Sequence, residues 1–409
     1  MTRNTVVWLL VILIIGIGGY FTYTYLKESP PSFLIKLFTK TEPPPLPEGD
    51  LASLDVADDF TPTIFSREVP GARVMTRDPK GAMLVSLTSS GKIVVLNDAD
   101  SDGKAESPKT VLEGLKRPHG IYATCIDGNN CVLYVAESDA LKVYSYNPDA
   151  QTADYRRTIT TFPATQGHLT RTILPHPDGK HLLVSIGSSC DVCHETDSKR
   201  ASIVSVDLET DDTYIYASGL RNSVFMAVNP IDGAIWATDN GRDLIGDDIP
   251  PDEVNLIKEG GYYGWPICYG QNVYDTDYNA RPDNPNPCAG FIPAHIDLQA
   301  HSAPLGLAFI PEEGWPGELH NDLLVAYHGS SSWNRSVPTG YKVVRWNLDD
   351  DGNVDGGPYD FVTGFMPEGG TSDDAVGRPV GILTEPGGTF YVSDDYAGAI
   401  YRIVWNGVR

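Results

Sequence analysis

One pattern recurs six times along this chain and limits its fold more than any other feature. An apolar strand leads into a turn containing Asp, Pro or Gly, a second strand reads like LYVS, and a third short strand follows another polar turn. The copies begin at Ala72 (ARVMTRDPKGAMLVSLTSSGKIVVLN), His119 (HGIYATCIDGNNCVLYVAESDALKVYSYN), Thr170 (TRTILPHPDGKHLLVSIGSSCDVC, then ASIVSVDL), Ser223 (SVFMAVNPIDGAIWATDNG), Pro304 (PLGLAFIPEEG, then DLLVAYHGS and YKVVRWNL) and Pro379 (PVGILTEPGGTFYVSDDYAGAIYRIVW). A sheet of this size cannot bury both faces alone, so six copies predict an all-β, six-bladed β-propeller in which each blade covers its neighbours. Composition agrees: 40 Gly and 31 Pro against 5 Met in 409 residues suit many short strands and exclude a helix bundle. The segment TPTIFSREVPG, ahead of the first copy, is expected to supply the outer strand of the last blade, closing the ring and hiding an edge. Copies are spaced about fifty residues apart up to the fourth and about eighty after it, which predicts insertions in loops on one functional rim.

Ahead of the repeats, Thr5 to Leu26 carry no charge, and these 22 residues would span roughly 33 Å as a helix, enough for a bilayer core. Arg3 would serve a cleavable signal. The small-residue cleavage candidate, Gly16 to Gly19, is however followed by more apolar and aromatic residues, so an uncleaved transmembrane anchor over residues 1–28 is expected. Lys27, Lys36 and Lys40 oppose Arg3, so charge does not orient the segment. Residues 29–50, with PPPLP, read as a stiff tether, and residues 51–409 as the propeller domain. Six cysteines fall in three close pairs, Cys125/Cys131, Cys190/Cys193 and Cys268/Cys288; local pairing is expected, although spacing alone does not select it. Behind an anchor, such pairs suit an oxidising extracytoplasmic space, the periplasmic side in a Gram-negative cell. The longest of these loops would contribute about 3 kcal/mol if bridged without strain. The 54 acidic and 30 basic residues leave a net charge of −24, which repels a phosphate backbone and argues against nucleic acid.

The passage from Gly219 to Gly270 is the densest in motifs. It contains Gly219-Leu220-Arg221-Asn222, Asp252-Glu253-Val254-Asn255 and Gly260-Gly261-Tyr262-Tyr263-Gly264-Trp265-Pro266. These, with Gly167-His168-Leu169-Thr170-Arg171, His301-Ser302-Ala303-Pro304-Leu305-Gly306, His328-Gly329-Ser330, Trp333-Asn334-Arg335 and Gly377-Arg378-Pro379-Val380-Gly381, resemble the quinoprotein glucose/sorbosone dehydrogenase family. The resemblance runs from about Pro70 to Trp405, in register with the six repeats. It implies a propeller that uses pyrroloquinoline quinone (PQQ) and calcium to oxidise an aldose or sorbosone-like sugar to its lactone or acid. A hydride would pass to the quinone, and then electrons to an acceptor that the sequence does not identify.

The resemblance further implies His168 as the general base, since an imidazole with a pKa near 6.5 suits removal of a hydroxyl proton. It implies that Arg221 holds the quinone and stabilises its reduced, anionic form, while Asn222 donates to its carbonyl oxygens. Arg335 and Arg378 are expected to meet the cofactor's carboxylates, although relatives often carry a lysine near the first position. His119 is expected either to line the pocket or to be a structural imidazole. For calcium, the resemblance implies the main-chain carbonyls of Gly241 and Arg242, and Asp252 and Glu253 either support a second calcium or orient the loop.

Two further motifs are ambiguous. Asn97-Asp98-Ala99-Asp100-Ser101-Asp102-Gly103 resembles the front of a calcium loop, with Asp98, Asp100 and Asp102 as ligands, but Lys109 stands where a bidentate Glu is needed. A solvated acidic turn explains it equally. Cys190-Asp191-Val192-Cys193-His194 matches the c-type haem attachment pattern, yet it interrupts a β repeat and no helical domain is left over, so a disulfide loop is expected. Two other functions share such a fold: a calcium-dependent lactonase, which needs a compact acidic cage, and a non-catalytic binding propeller. Several arginines at the loop ends favour the dehydrogenase, because a tricarboxylate quinone needs fixed cations.

Overall fold

The computed structural model describes residues 54–407 except Asn129, residues 280–283 and Trp333. The expected membrane segment, the tether and the boundary at residue 51 fall outside these residues. Among the described residues no helix is long and apolar enough to cross a membrane.

The six repeats form six four-stranded antiparallel blades, each built outward from its first strand. Blade one comprises Ala72–Arg77, Met83–Leu87, Lys92–Leu96 and Lys109–Leu112; blade two comprises Ile121–Asp127, Asn130–Ala136, Ala140–Asn147 and Thr152–Thr161. Blade three holds Ile173–Pro175, His181–Ile186, Ser202–Asp207 and Thr213–Ser218, and blade four holds Ser223–Val228, Ile235–Asp239, Asp252–Ile257 and Ile296–Leu298. Blade five runs through Pro304–Phe309, Leu323–Tyr327, Lys342–Leu348 and Val354–Thr363, with Asp55–Val56 added at its outer edge. Blade six takes Pro379–Glu385, Thr389–Asp394 and Ala399–Trp405 from the C-terminal end, and its outer strand is Phe60–Ser66, paired antiparallel from Phe60 opposite Trp405. The ring therefore closes as the sequence predicts, and the open edge of the last blade is covered.

Each inner strand neighbours the inner strand of the next blade, and that of blade six returns to that of blade one. Near the axis they approach so closely that a Cβ at Gly306 would lie 2.4 Å from Val380 O, and one at Gly381 would lie 2.4 Å from Arg73 O. The second strands are almost wholly buried, as in MLVSL of blade one and LLVAY of blade five, because each is covered by a blade on either side. Between blades the packing is apolar and aromatic: Trp236 meets Phe309 edge-on at 5.5 Å, and Phe60 of the closing strand packs on Trp315, Phe361 and Phe390.

The long insertion after the third strand of blade four takes an unexpected course. It leaves at the end where inner strands finish, then climbs beside blade three, where Gly261–Tyr262 pairs parallel with Ala217 and Ser218. Tyr263 N donates to Ser218 O and Trp265 N to Gly219 O, and a Cys268–Cys288 disulfide ties the returning loop. The insertion thus delivers Trp265 to Asp275 to the opposite end, where inner strands begin.

Candidate functional site

Four antiparallel strands per blade put the start of every inner strand, and every loop between second and third strands, at one end of the ring. His168 lies on the lead into blade three and is half-buried. Its Nδ1 is 3.2 Å from Ser188 O and 3.0 Å from Ser188 Oγ, whose own proton goes to Cys190 O at 2.6 Å. Both Ser188 atoms therefore act as acceptors, so Nδ1 carries the hydrogen and Nε2 keeps its lone pair. Burial and the neighbouring Arg221 guanidinium push the His168 pKa down to about 3, which keeps the ring neutral. Its backbone is fixed by two buried arginines: Arg171 and Arg200 each donate to His168 O at 3.0 Å. Gly187 is required beside it, because a Cβ there would lie 2.4 Å from Asn222 Oδ1 and 2.6 Å from His168 Cβ.

Arg221 enters from blade four and is buried. Its Nε donates to Asp191 O at 2.8 Å, Nη2 to Asp191 Oδ1 at 2.7 Å, and Nη1 to Asn240 O at 3.0 Å. Asp191 lies inside the Cys190–Cys193 disulfide, so a four-residue covalent loop carries the acceptor that aims the guanidinium. Asp243 extends the cluster. Its amide donates to Asp191 Oδ1, its carboxylate lies 3.4 Å from Arg221 Nη2, and it accepts from Asn334 Nδ2 at 3.0 Å, linking blades three, four and five. His301 packs beside it, with Nδ1 3.8 Å from Asp243 Oδ1 and Nε2 bonded to Gly246 O.

Blade four also buries three carboxylates. Asp239 accepts from Asn222 N at 2.6 Å, Asp252 accepts from Gly241 N, Ala303 N and Ser302 Oγ, and Glu253 accepts from Gly270 N and Asn255 Nδ2. Burial raises all three: Asp239, with Glu253 repelling its charge, is pushed above the carboxylate range, Glu253, with Asp297 and Asp252 nearby, is pushed up to about 7, and Asp252 is pushed up to about 6. Carboxylates this dry hold their full charge only with a cation beside them. Asp239 and Glu253 share a small cavity with Gly241, Arg242, Trp265, Tyr269 and Asp275, the last three closing it partly from the climbing insertion. Asp252, with both oxygens bonded to main chain and Ser302, orients the Gly241 loop.

Across the axis, Arg73 of blade one pairs with Asp395 at 2.5 Å, and Asp395 accepts from His328 Nε2 at 2.9 Å. Although partly buried, Asp395 is held below the carboxylate range by His328 and Arg73. His119 is fully buried against Phe225, with Nδ1 3.1 Å from Thr172 Oγ1, and burial holds its pKa well below the ordinary imidazole value. Several buried polar atoms at this end have no hydrogen-bond partner among the described residues: Asn222 Oδ1, Asn240 Oδ1, His119 Nε2, Arg73 Nε and Arg335 Nε. Orphaned donors and acceptors converging on one funnel are what a polar ligand would satisfy.

His168, Arg221 and Asn222 are thus brought together, with His119 buried on the neighbouring blade against Thr172 and Phe225. Arg335 and Arg378 reach the same end but turn to their own chain. Arg335 donates to Asp247 O and approaches Asp248 at 3.3 Å; Arg378 donates to Gly329 O, Ser330 O and Tyr341 Oη. Trp333, quoted beside Arg335, lies outside the described residues. Arg242 pairs through its side chain with Asp275 at 2.8 Å. Sequence reasoning missed Ser188, Asp191, Asp239, Asp243 and Asp395, whose partners are remote in sequence. One available signal was Asp191, held between two cysteines.

The acidic loop of blade one is elsewhere. The Asp98, Asp100 and Asp102 carboxylates gather within 4.8 Å at the end where inner strands finish, while Lys109 reaches Ala150 O instead of the loop. The three cysteine pairs are disulfides as expected, so both sulfurs of the haem-like motif are already bonded to each other.

A model of the family described as TrAA12-like matches residues 54–406. An uncharacterised protein of Borreliella burgdorferi is 32% identical over 369 residues, covering 87% of this chain and 91% of that protein. A pyrroloquinoline quinone-dependent sugar dehydrogenase of Hypocrea jecorina is 24% identical over 67% of this chain and 73% of its own length. Among solved structures, a Trichoderma reesei carbohydrate-active enzyme of family AA12 superposes with a TM-score of 0.75 at 24% identity, over 86% of this chain and 98% of that one. The PQQ domain of Coprinopsis cinerea pyranose dehydrogenase superposes with a TM-score of 0.72 at 23% identity, over 88% of this chain and 98% of that one. These superpositions show the shared propeller.

Proposed function

The chain belongs to the TrAA12-like family, and from that premise we propose that it is a PQQ- and calcium-dependent dehydrogenase that oxidises an aldose or related pyranose, sorbosone-like sugars included, to the lactone or acid. The observation that carries this reading is the corner formed by His168, Arg221 and Asn222, where a neutral base with a defined tautomer lies beside a buried cation and an unpartnered amide oxygen. When bound, PQQ supplies a two-electron acceptor for the sugar's hydride. The unsatisfied Arg73 and Arg335 Nε donors fit an anionic group in the same funnel, and the unsatisfied Asn222 and Asn240 amide oxygens fit an N–H donor or a cation beside it.

Each residue then has separate work. His168 accepts the sugar hydroxyl proton at Nε2, and Ser188 fixes the ring by taking the Nδ1 hydrogen. Arg221 offers a guanidinium held by Asp191 and Asp243, so its charge needs no reorientation as negative charge develops. Asn222 can hydrogen-bond the cofactor from the same turn. Calcium would supply positive charge near the Gly241 and Arg242 carbonyls and the buried acids Asp239 and Glu253. Arg378 braces the blade-five loop that carries Asn334, and His328 and Asp395 form the opposite wall for the sugar. The N-terminal apolar segment and the disulfides support a membrane-anchored enzyme facing an oxidising, extracytoplasmic space.

The test is to add PQQ and calcium to the purified protein and screen aldoses with an artificial electron acceptor. Dye reduction that requires PQQ is expected. A protein that binds no quinone in excess calcium would refute the reading, and lactone hydrolysis would be assayed next.

A further inference from the structure

At the end of blade three away from the funnel, the turn His176-Pro177-Asp178-Gly179-Lys180-His181 joins the first two strands. Its hairpin bonds, His176 N to His181 O and Gly179 N to His176 O, both at 3.0 Å, hold the two histidines opposite each other. Between them lies one carboxylate. Asp178 Oδ2 is 2.6 Å from His181 Nδ1 and 3.1 Å from His176 Nδ1, and the donor atoms of all three side chains fall within 4.8 Å. Asp178 Oδ1 is occupied separately, by the Lys180 and His181 amides at 2.8 and 3.1 Å, so the carboxylate is fixed with its second oxygen toward the rings.

The outer nitrogens are also met. His181 Nε2 lies 3.6 Å from Asp207 Oδ2 on the adjacent strand, where His181 and Asp207 are register partners, and His176 Nε2 lies 3.4 Å from Tyr216 Oη. A carboxylate or hydroxyl behind a ligating imidazole is the arrangement that fixes tautomer and orientation at metal centres. Each histidine side chain is 22% exposed and Asp178 34%, leaving an approach for an ion and for water ligands.

We propose that His176, Asp178 and His181 bind a divalent transition-metal ion of the zinc type. Two imidazoles and a carboxylate are borderline donors that suit zinc, whereas calcium needs six to eight oxygens. Ligands on one zinc ion, each about 2.0–2.2 Å from it, sit roughly 3–3.5 Å from one another; Asp178 Oδ2 is already 3.1 Å from His176 Nδ1, and its 2.6 Å hydrogen bond to His181 Nδ1 gives way to the ion. The Asp178 amide, 3.2 Å from His176 Nδ1, yields that lone pair to the ion through a small ring rotation. With Asp178 and Asp207 against Lys180 alone in this turn and its paired strand, the local charge favours a cation. The site is independent of the funnel chemistry.

The experiment strips the purified full-length protein with EDTA and titrates zinc by calorimetry at pH 7.5 in excess calcium. One equivalent is expected with micromolar or tighter affinity, weakened about 100-fold by His176→Asn with His181→Asn and about 10-fold by Asp207→Asn. Zinc-edge X-ray absorption of the wild-type complex, which needs no variant to fold, should show two imidazoles in the first shell. Zinc affinity equal in wild type and double variant, or a first shell with fewer than two imidazoles, overturns the proposal.

Discussion

Arg221 sets the chemistry of its neighbour His168. Because burial and Arg221 depress the His168 pKa to about 3, the ring stays unprotonated at pH 5.5, where an ordinary imidazole is about nine-tenths protonated. The unfolded chain takes up this proton first, so the same shift makes the fold lose stability as pH falls from about 6.5 toward 3. In the rate profile of the PQQ-loaded protein, the acid limb should therefore lie well below the usual histidine range; a limb near pH 6.5 that vanishes in His168→Gln would contradict the depressed value. His168→Gln should keep quinone affinity while turnover falls about 10²- to 10⁴-fold, as expected for loss of a general base. Asp191→Asn should act on affinity instead. It removes the charge that receives Arg221 Nη2 at 2.7 Å, and quinone binding should weaken about tenfold or more in titration.

Elements transmit these effects. The Cys190–Cys193 loop projects Asp191 across to blade four, so Cys190→Ser with Cys193→Ser should weaken quinone binding in the same direction as Asp191→Asn. Because both changes act through Arg221, their effects should combine to less than the sum, and full additivity in a double-mutant cycle would separate the loop from the arginine. The same disulfide leaves no thiol for a thioether, so a pyridine haemochrome spectrum should lack a c-type band even from cells with a haem-attachment system. Inner strands are limited by contact at the axis. Gly381→Ala would place a methyl group 2.4 Å from Arg73 O, costing about 1–3 kcal/mol of strain and lowering Tm by about 2–6 °C. An unchanged melting curve would mean that the two strands can part without loss.

For the molecule as a whole, the ring depends on a strand that the sequence places ahead of all six repeats. Phe60–Ser66 covers the edge of blade six, and Phe60 is buried among Trp315, Phe361 and Phe390. A chain starting at residue 51 should be soluble and retain its β signal by circular dichroism under oxidising conditions. One starting at Arg67 should aggregate, since it exposes an unpaired edge and the aromatic cluster together. Equal behaviour of the two would show that the closing strand is dispensable.

Sequence by itself determined the blade count and the closing strand, made local pairing of the six cysteines the expectation, and through the family resemblance implied the corner of His168, Arg221 and Asn222. Strand alternation and turn residues are local signals, each pair of cysteines is near in sequence, and the three site residues lie in motifs at strand starts. Partner choice was decided by the tertiary structure. Asp191 and Asp243 reach Arg221 from loops 30 and 22 residues away, and Arg335 meets Asp247 from 88 residues away, because radial closure gathers loops from different blades at one end. No local pattern records that Arg335 and Arg378 would turn to their own chain. Nor does one record that the blade-four insertion would climb beside blade three, or that Asp239 and Glu253 would be buried together. Charge pairing and desolvation depend on distances that exist only once the ring is closed.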